Sequence, residues 1–259
     1  MSGTDHTRLP EAEALPPGPE VILVRPQLGE NIGAAARGMW NFGLDRMRLV
    51  APRDGWPSPR AVAMASGATR VLDRVRLFPD VRSSVEDLAC VYATTARSSR
   101  DFMKPVMTPE EAMRDAVTRI ARGEKVGLMF GPERAGLEND DLMSAQVYVT
   151  VPANPAFASL NLAQCVLLLG YEWRRQALSA TPQPAPAGYA APAGRGDVDR
   201  MLDHLEGELE TANYFWPEDK RPSMRANLRN LFHRAPLTDQ DLRTLWGVIR
   251  ALAEGRRRR

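Results

Sequence analysis

Apolar positions along the chain fall into short continuous runs, separated by stretches with helical spacing. The runs at 21–24 (VILV), 47–52 (MRLVAP), 75–78 (VRLF), 90–95 (CVYATT), 125–131 (KVGLMFG) and 147–152 (VYVTVP) are apolar at most positions. Runs of this length and continuity belong to strands buried on both faces, as in a parallel sheet. The helix patterns between them carry their own punctuation. Residues 30–42 read as an Ala- and Gly-rich helix. Ser58 is placed as an N-cap before Pro59, and that pattern stops at Gly67. Thr108 caps a helix opened by Pro109, Glu111 completes a capping box, and Gly123 follows the end. Residues 159–178 form a long apolar helix pattern in which Ser159 can cap and Asn161 sits in the first turn. Strands alternating with helices imply an α/β fold, a mostly parallel sheet covered on both faces.

The pattern changes at residue 179. In 179–196, thirteen of eighteen residues are Pro, Ala or Gly, the composition of a linker. Helix patterns follow at 197–213, 222–233 and 238–254, with no strand. The expected organisation is a leader at 1–19, an α/β domain at 20–178, the linker at 179–196 and a small all-α region at 197–259. The leader is polar and Pro-rich and lacks the apolar core of a signal peptide.

Charge and composition narrow the function. The net charge of +2 is uneven: residues 219–259 hold eleven Lys/Arg against four acids, an excess of seven. A basic end on a slightly acidic body points to a polyanion partner, nucleic acid above all. No run reaches the roughly 18 apolar residues of a membrane span. Cys90 and Cys165 lie in apolar contexts and read as reduced core residues of a cytoplasmic protein. With His6, His204 and His233 scattered, no metal-ligand spacing occurs, so no metal is expected.

Candidate chemistry stands at the strand ends, where open α/β sheets bind ligands. After 21–24 comes RPQLGENIGAAARGMWNFG (25–43), a glycine-bearing turn into a helix. It is neither G-x-G-x-x-G nor G-x-x-x-x-G-K-[ST], so dinucleotide and P-loop readings lose their support. It presents instead Asn31 at the helix start and Arg37 six residues on, about 240° round the axis. Arg37 emerges among Ala34, Ala35, Ala36 and Gly38, a surface bare enough for a ligand or a second backbone to approach. After 125–131 comes Gly131-Pro132-Glu133-Arg134, a stiffened turn with a carboxylate. After 147–152 comes VPANPAFASLNLAQ (151–164), with Ser159 and Asn161 at a helix start, where free backbone N–H groups suit a polar ligand.

These three stretches, in this order, resemble the three motifs of the SPOUT-class (TrmH-like superfamily) RNA 2′-O-ribose methyltransferases. Asn31 and Arg37 match the first motif, Gly131 and Glu133 the second, and Ser159, Leu160 and Asn161 the third. YATTARSSRD (92–101) resembles the T-[ST]-A-R segment of the TrmJ-like branch, the tRNA (cytidine/uridine-32) 2′-O-methyltransferases. The resemblance covers about residues 20–175, and the basic helical end is similar to that branch's extension. The doubled serine in ARSSRD departs from the pattern.

The resemblance implies a sheet whose C-terminal part is tied in a trefoil knot, and a homodimer with the knot at its interface. It implies S-adenosyl-L-methionine held by backbone groups of Thr94, Thr95, Ala96, Gly131, Val151, Ser159 and Leu160. The implied reaction is transfer of a methyl group to a ribose 2′-oxygen of tRNA at anticodon-loop position 32. Arg37 would hold that oxygen or the adjacent phosphate, with Asn31, Glu133, Ser159 and Asn161 positioning it. A ribosomal RNA 2′-O-methyltransferase of the same superfamily is the alternative enzyme. A non-catalytic RNA-binding protein on the same scaffold is the alternative outside catalysis.

Overall fold

The computed structural model describes residues 17–96, 104–179 and 190–257. Most of the expected leader, the 97–101 part of ARSSRD, the centre of the linker and the last two arginines lie outside these residues. Strand β1 (Glu20–Val24) leads into helix α1 (Gly29–Asn41), followed by β2 (Met47–Val50), α2 (Pro59–Ala65), α3 (Thr69–Asp73), β3 (Arg76–Phe78), α4 (Val81–Val85) and β4 (Cys90–Thr94). The chain continues with β5 (Val106–Met107), α5 (Pro109–Ala121), β6 (Val126–Phe130), α6 (Asn139–Met143), β7 (Val147–Val149) and α7 (Leu162–Ser179). The helical end comprises α8 (Arg195–Thr211), α9 (Arg221–Arg234) and α10 (Asp239–Arg257).

Among the described residues the strands form one seven-stranded sheet in the order β3-β2-β1-β6-β4-β7-β5. Every neighbouring pair is parallel. Alternate side chains enter opposite layers. Val21, Leu23, Leu128, Phe130, Tyr92 and Val149 pack under α1, α2, α5 and α7. Ile22, Val24, Met129, Val91, Ala93 and Tyr148 pack on the other face, against α4 and the segment around α6. Burial on both faces is why these strands read as continuous apolar runs rather than alternating ones.

Local signals act as their chemistry requires. Ser58 Oγ accepts from Ala61 N, and the Thr108–Glu111 capping box forms in both directions. One exception to an apolar strand is instructive. Arg48 of β2 is fully buried, yet its guanidinium meets Glu20 Oε2 (2.6 Å), the Ser84 carbonyl (2.7 Å) and both oxygens of Asp87. A buried cation is tolerable only when paired and hydrogen-bonded, and here the pairing ties β1, β2 and the end of α4 together.

The helical end has its own core of Val198, Met201, Leu202, Leu242 and Ile249. It also docks on the α4 side of the sheet domain. Arg195 N donates to the Leu88 carbonyl (3.3 Å) and Gly196 N to that of Glu86 (3.0 Å), while Arg82 pairs with Asp203 (2.5 Å). Helix α8 thus begins inside the stretch whose composition reads as linker, with Ala193 and Arg195 already buried. The five-residue helices α3, α4 and α6 and the two-residue β5 are too short for apolar spacing to show a repeat.

Candidate active site

The carboxyl ends of β1, β4, β6 and β7 point the same way, and their loops converge. Helix α1 has no side-chain cap of its own, since Leu28 occupies the N-cap position. Glu133, from the loop after β6, holds the turn into the helix instead: its carboxylate accepts from Gln27 N (2.8 Å) and Leu28 N (3.2 Å), the amides just ahead of the first helical turn. A negative charge at a helix start is favourable, and these amides would otherwise lack a protein acceptor. Asn31 Nδ2 donates to Glu133 Oε1 (2.8 Å), and Asn161 Nδ2 donates to Asn31 Oδ1 (3.1 Å). Asn161 Oδ1 in turn accepts from Ala163 N (2.9 Å) and Gln164 N (3.4 Å), which caps α7. Three segments far apart in sequence, the first turn of α1 and two loops, are therefore joined by one hydrogen-bond relay, Asn161 to Asn31 to Glu133.

Backbone geometry makes that relay possible. A Cβ at Gly131 would lie 2.3 Å from both Gly136 C and Leu137 N, so only glycine lets the loop fold back and deliver Glu133. Gly136 closes the loop at φ +67°, and its N–H donates to the Pro132 carbonyl (2.9 Å). Arg25, leaving β1 at φ +46°, forms an ion pair with Asp141 of α6, which fastens the far side of the same loop to β1.

Beside the relay lies a cleft of about 940 Å³. Thr94, Thr95, Ala96, Gly131, Val151, Ser159 and Leu160, the seven positions nominated for the methyl donor, all line it. Glu133 and Arg134 stand at it too. Its size lies within the range of small-molecule sites, and its walls are strand ends and turns that expose backbone groups. Thr150 Oγ1, in the same wall, is buried without a hydrogen-bond partner, an orphan that a polar ligand would satisfy. The residues present therefore fit an adenosyl group. Cys165 also lines the cleft, but burial pushes its thiol up to about 12, so it stays protonated and is no nucleophile.

One nominated residue sits differently from the sequence expectation, and another stands apart from the relay. Ser159 is exposed at the cleft and caps nothing; α7 starts at Leu162, and Asn161 is its cap. The two prolines and the Asn154 turn ahead of it delay the helix, so the cap falls on the residue whose amide also reaches Asn31. Arg37 is exposed on α1, belongs to neither the relay nor the cleft lining, and pairs with no described residue. Its neighbour Gly38 packs against Leu167 of α7, next to Leu168 and Tyr171, which are themselves exposed.

Sequence reasoning missed Thr150 and the wall formed by Val106, Met107 and Thr108. Thr150 lies just beyond a strand end, a position that could have flagged it. β5 has only two residues and no periodicity to find.

The model of the SpoU rRNA Methylase family matches residues 19–171, and that of the tRNA methyltransferase TrmJ C-terminal domain matches 196–259. The tRNA (cytidine/uridine/adenosine-2′-O-)-methyltransferase TrmJ of Pseudomonas aeruginosa is 33% identical over 237 residues, covering 88% of this chain and 91% of that protein. The crystal structure of TrmJ from Z. mobilis ZM4 is 49% identical with a TM-score of 0.81, covering 90% of this chain and 98% of that one. The fold is shared with the SpoU methyltransferase AviRb from Streptomyces viridochromogenes in complex with the cofactor AdoMet, 21% identical with a TM-score of 0.50, over 70% of this chain and 64% of that one.

Proposed function

The chain belongs to the SpoU rRNA Methylase family, and we propose that it methylates a ribose 2′-hydroxyl of tRNA with S-adenosylmethionine as donor. The observation that carries this reading is the cleft at the strand ends, lined by all seven nominated positions and flanked by the Asn161–Asn31–Glu133 relay. S-adenosylmethionine, when bound, supplies an electrophilic methyl group on a sulfonium. Backbone groups of Thr94–Ala96, Gly131 and Val151, with Ser159 and Leu160, hold it.

A ribose hydroxyl is a weak nucleophile until its proton leaves, so the protein must orient it and stabilise the developing charge. Arg37 does so as a permanent cation; a guanidinium that stays protonated is no general base. Glu133 and Asn31 act one step back, holding the start of α1 and thereby the helix that carries Arg37.

Because Arg37 stands outside its own chain's cleft, we place its action across a homodimer. The exposed Leu167, Leu168 and Tyr171 beside it are the contact surface. A trefoil knot in the chain around the cleft belongs to the same proposal. So does the division into a catalytic part at 20–178 and an RNA-gripping part at 197–259. The exposed cations of the latter contact tRNA phosphates, and position 32 of the anticodon loop is the target.

A tritiated-methyl assay with tRNA tests the reading. Arg37→Ala is expected to lose about 100-fold or more in kcat, with calorimetric donor affinity kept. Normal turnover by this variant would remove Arg37 from the mechanism. Mapping of 2′-O-methyl groups in the product identifies the nucleotide, and incorporation into ribosomal RNA instead of tRNA would favour the other substrate class.

A further inference from the structure

Away from the relay, two buried cations meet where the helical end docks on the sheet domain. Lys104 is 5% exposed, and its Nζ donates to the carbonyls of Ala145 (2.7 Å), Met143 (2.8 Å) and Leu142 (3.3 Å), at the end of α6. Arg195, in the first turn of α8 and 4% exposed, donates from Nη2 to the same Met143 carbonyl (3.1 Å). One acceptor thus serves a cation from each part of the chain.

Neither cation is cheaply placed. Arg195 sits at the start of a helix, the end whose partial charge repels it, and its Nε is buried without a partner. Asp199 and His233 lie close by, and Arg234 adds positive charge. Burial first, then Arg195 and Arg234, push Lys104 down to about 7. Packing that opposes both charges is tolerated where the contacts they make are needed.

Lys104 leads directly into one wall of the cleft. Tyr148 N donates to the Pro105 carbonyl (2.9 Å), and Val106 and Met107 pair with Tyr148 and Val149. Val106, Met107 and Thr108 then face the cleft. A two-residue edge strand has too short a ladder to hold itself. Its place depends on its ends: the Thr108 capping box on one side and the Lys104 carbonyl cluster on the other.

We propose that Lys104 and Arg195 are positioning residues for the methyl-donor cleft, joined through the Met143 carbonyl, so that docking of α8 holds β5 in its donor-binding place. This rests on the assignment of the cleft to the methyl donor. The helical end then does more than grip RNA, because its seating sets donor affinity in the sheet domain.

Calorimetric titration of the full chain with S-adenosylmethionine tests this, comparing wild type, Lys104→Met and Arg195→Met, with steady-state constants and thermal midpoints measured alongside. Both variants are expected to bind the donor about fivefold or more weakly. Their kcat at saturating donor stays within about twofold, and KM for tRNA is unchanged. Arg195→Lys, which keeps a donor for Met143, is expected to restore affinity. Unaltered donor affinity in folded Arg195→Met overturns the inference. So does failure of Arg195→Lys to restore it, which would assign the loss to general destabilisation. If Lys104→Met does not fold, the two Arg195 variants decide. Absence of donor binding by the wild-type chain would instead overturn the assignment of the cleft.

Discussion

Glu133 and Arg37 enter the proposed reaction in two different ways. Glu133 holds two backbone amides and Asn31 at once, so it is structural before it is chemical. Glu133→Ala is therefore expected to lower unfolding free energy by about 1–2 kcal/mol, as leaving part-buried donors unsatisfied does, and to lower activity with it. Urea denaturation beside the methyl-transfer assay reads both. Arg37 is exposed and unpaired among the described residues, so Arg37→Ala should leave stability within about 0.5 kcal/mol while removing activity. His233 adds a pH dependence. Burial pushes its imidazole down to about 4, against the pull of Asp199, to which its Nε2 lies at 2.9 Å. The folded state keeps this ring neutral while the unfolded chain takes up a proton at ordinary histidine pKa. Stability is therefore lost as pH falls from about 6.5 towards 4. In His233→Gln the loss over that window should be smaller, as followed by thermal midpoints at stepped pH.

Between elements, close approach outweighs intrinsic preference. Glycine is a poor helix residue, and Gly33 in the middle of α1 should by propensity alone improve on replacement by alanine, by about 1 kcal/mol. The crossing of α1 and α2 reverses that sign. A Cβ at Gly33 would lie 2.1 Å from the Ala61 carbonyl oxygen and 2.8 Å from Met64 Cβ. Gly33→Ala is expected to destabilise by about 1–3 kcal/mol, measured by chemical denaturation, because the helices must part. Since α1 carries both Asn31 and Arg37, activity should fall with it. Ala35 and Ala36 are buried against this helix's neighbours, so much of the bare surface around Arg37 is first a helix-packing surface.

At the scale of the molecule, the basic excess of the C-terminal end is only partly available to a partner. Arg229 is spent on Asp203 and Glu206, and Arg221 and Arg225 on Glu210. These ion pairs bind α9 to α8 and build the small core's rim. Lys220 and Arg243 are exposed and pair with no described acid, so the proposed phosphate contacts fall to them. Each of Lys220→Ala and Arg243→Ala should reduce the slope of log tRNA affinity against log salt by about 1, without changing stability. Arg229→Ala should instead lower stability. Titrations at several salt concentrations separate the two classes, and equal slopes in all three variants would move the RNA surface elsewhere.

What the sequence determined by itself is local. Continuous apolar runs are strands because burial on both faces demands it, and Ser58, Thr108 and Gly123 mark helix ends because a few residues suffice to cap a helix. The residue types at the strand ends were legible for the same reason; the cleft positions among them were nominated by the family resemblance. What only the tertiary structure decided depends on strand order. With β6 inserted between β1 and β4, Glu133 comes to bond Asn31, 102 residues away from it, and Asn161 rather than Ser159 reaches Asn31 from the other side. The same packing leaves Arg37 outside its own cleft and consumes three of the four arginines of α9 in ion pairs. Such contacts join segments with no local signal between them, because hydrogen bonds and charges pair by distance in space, which no spacing along the chain encodes.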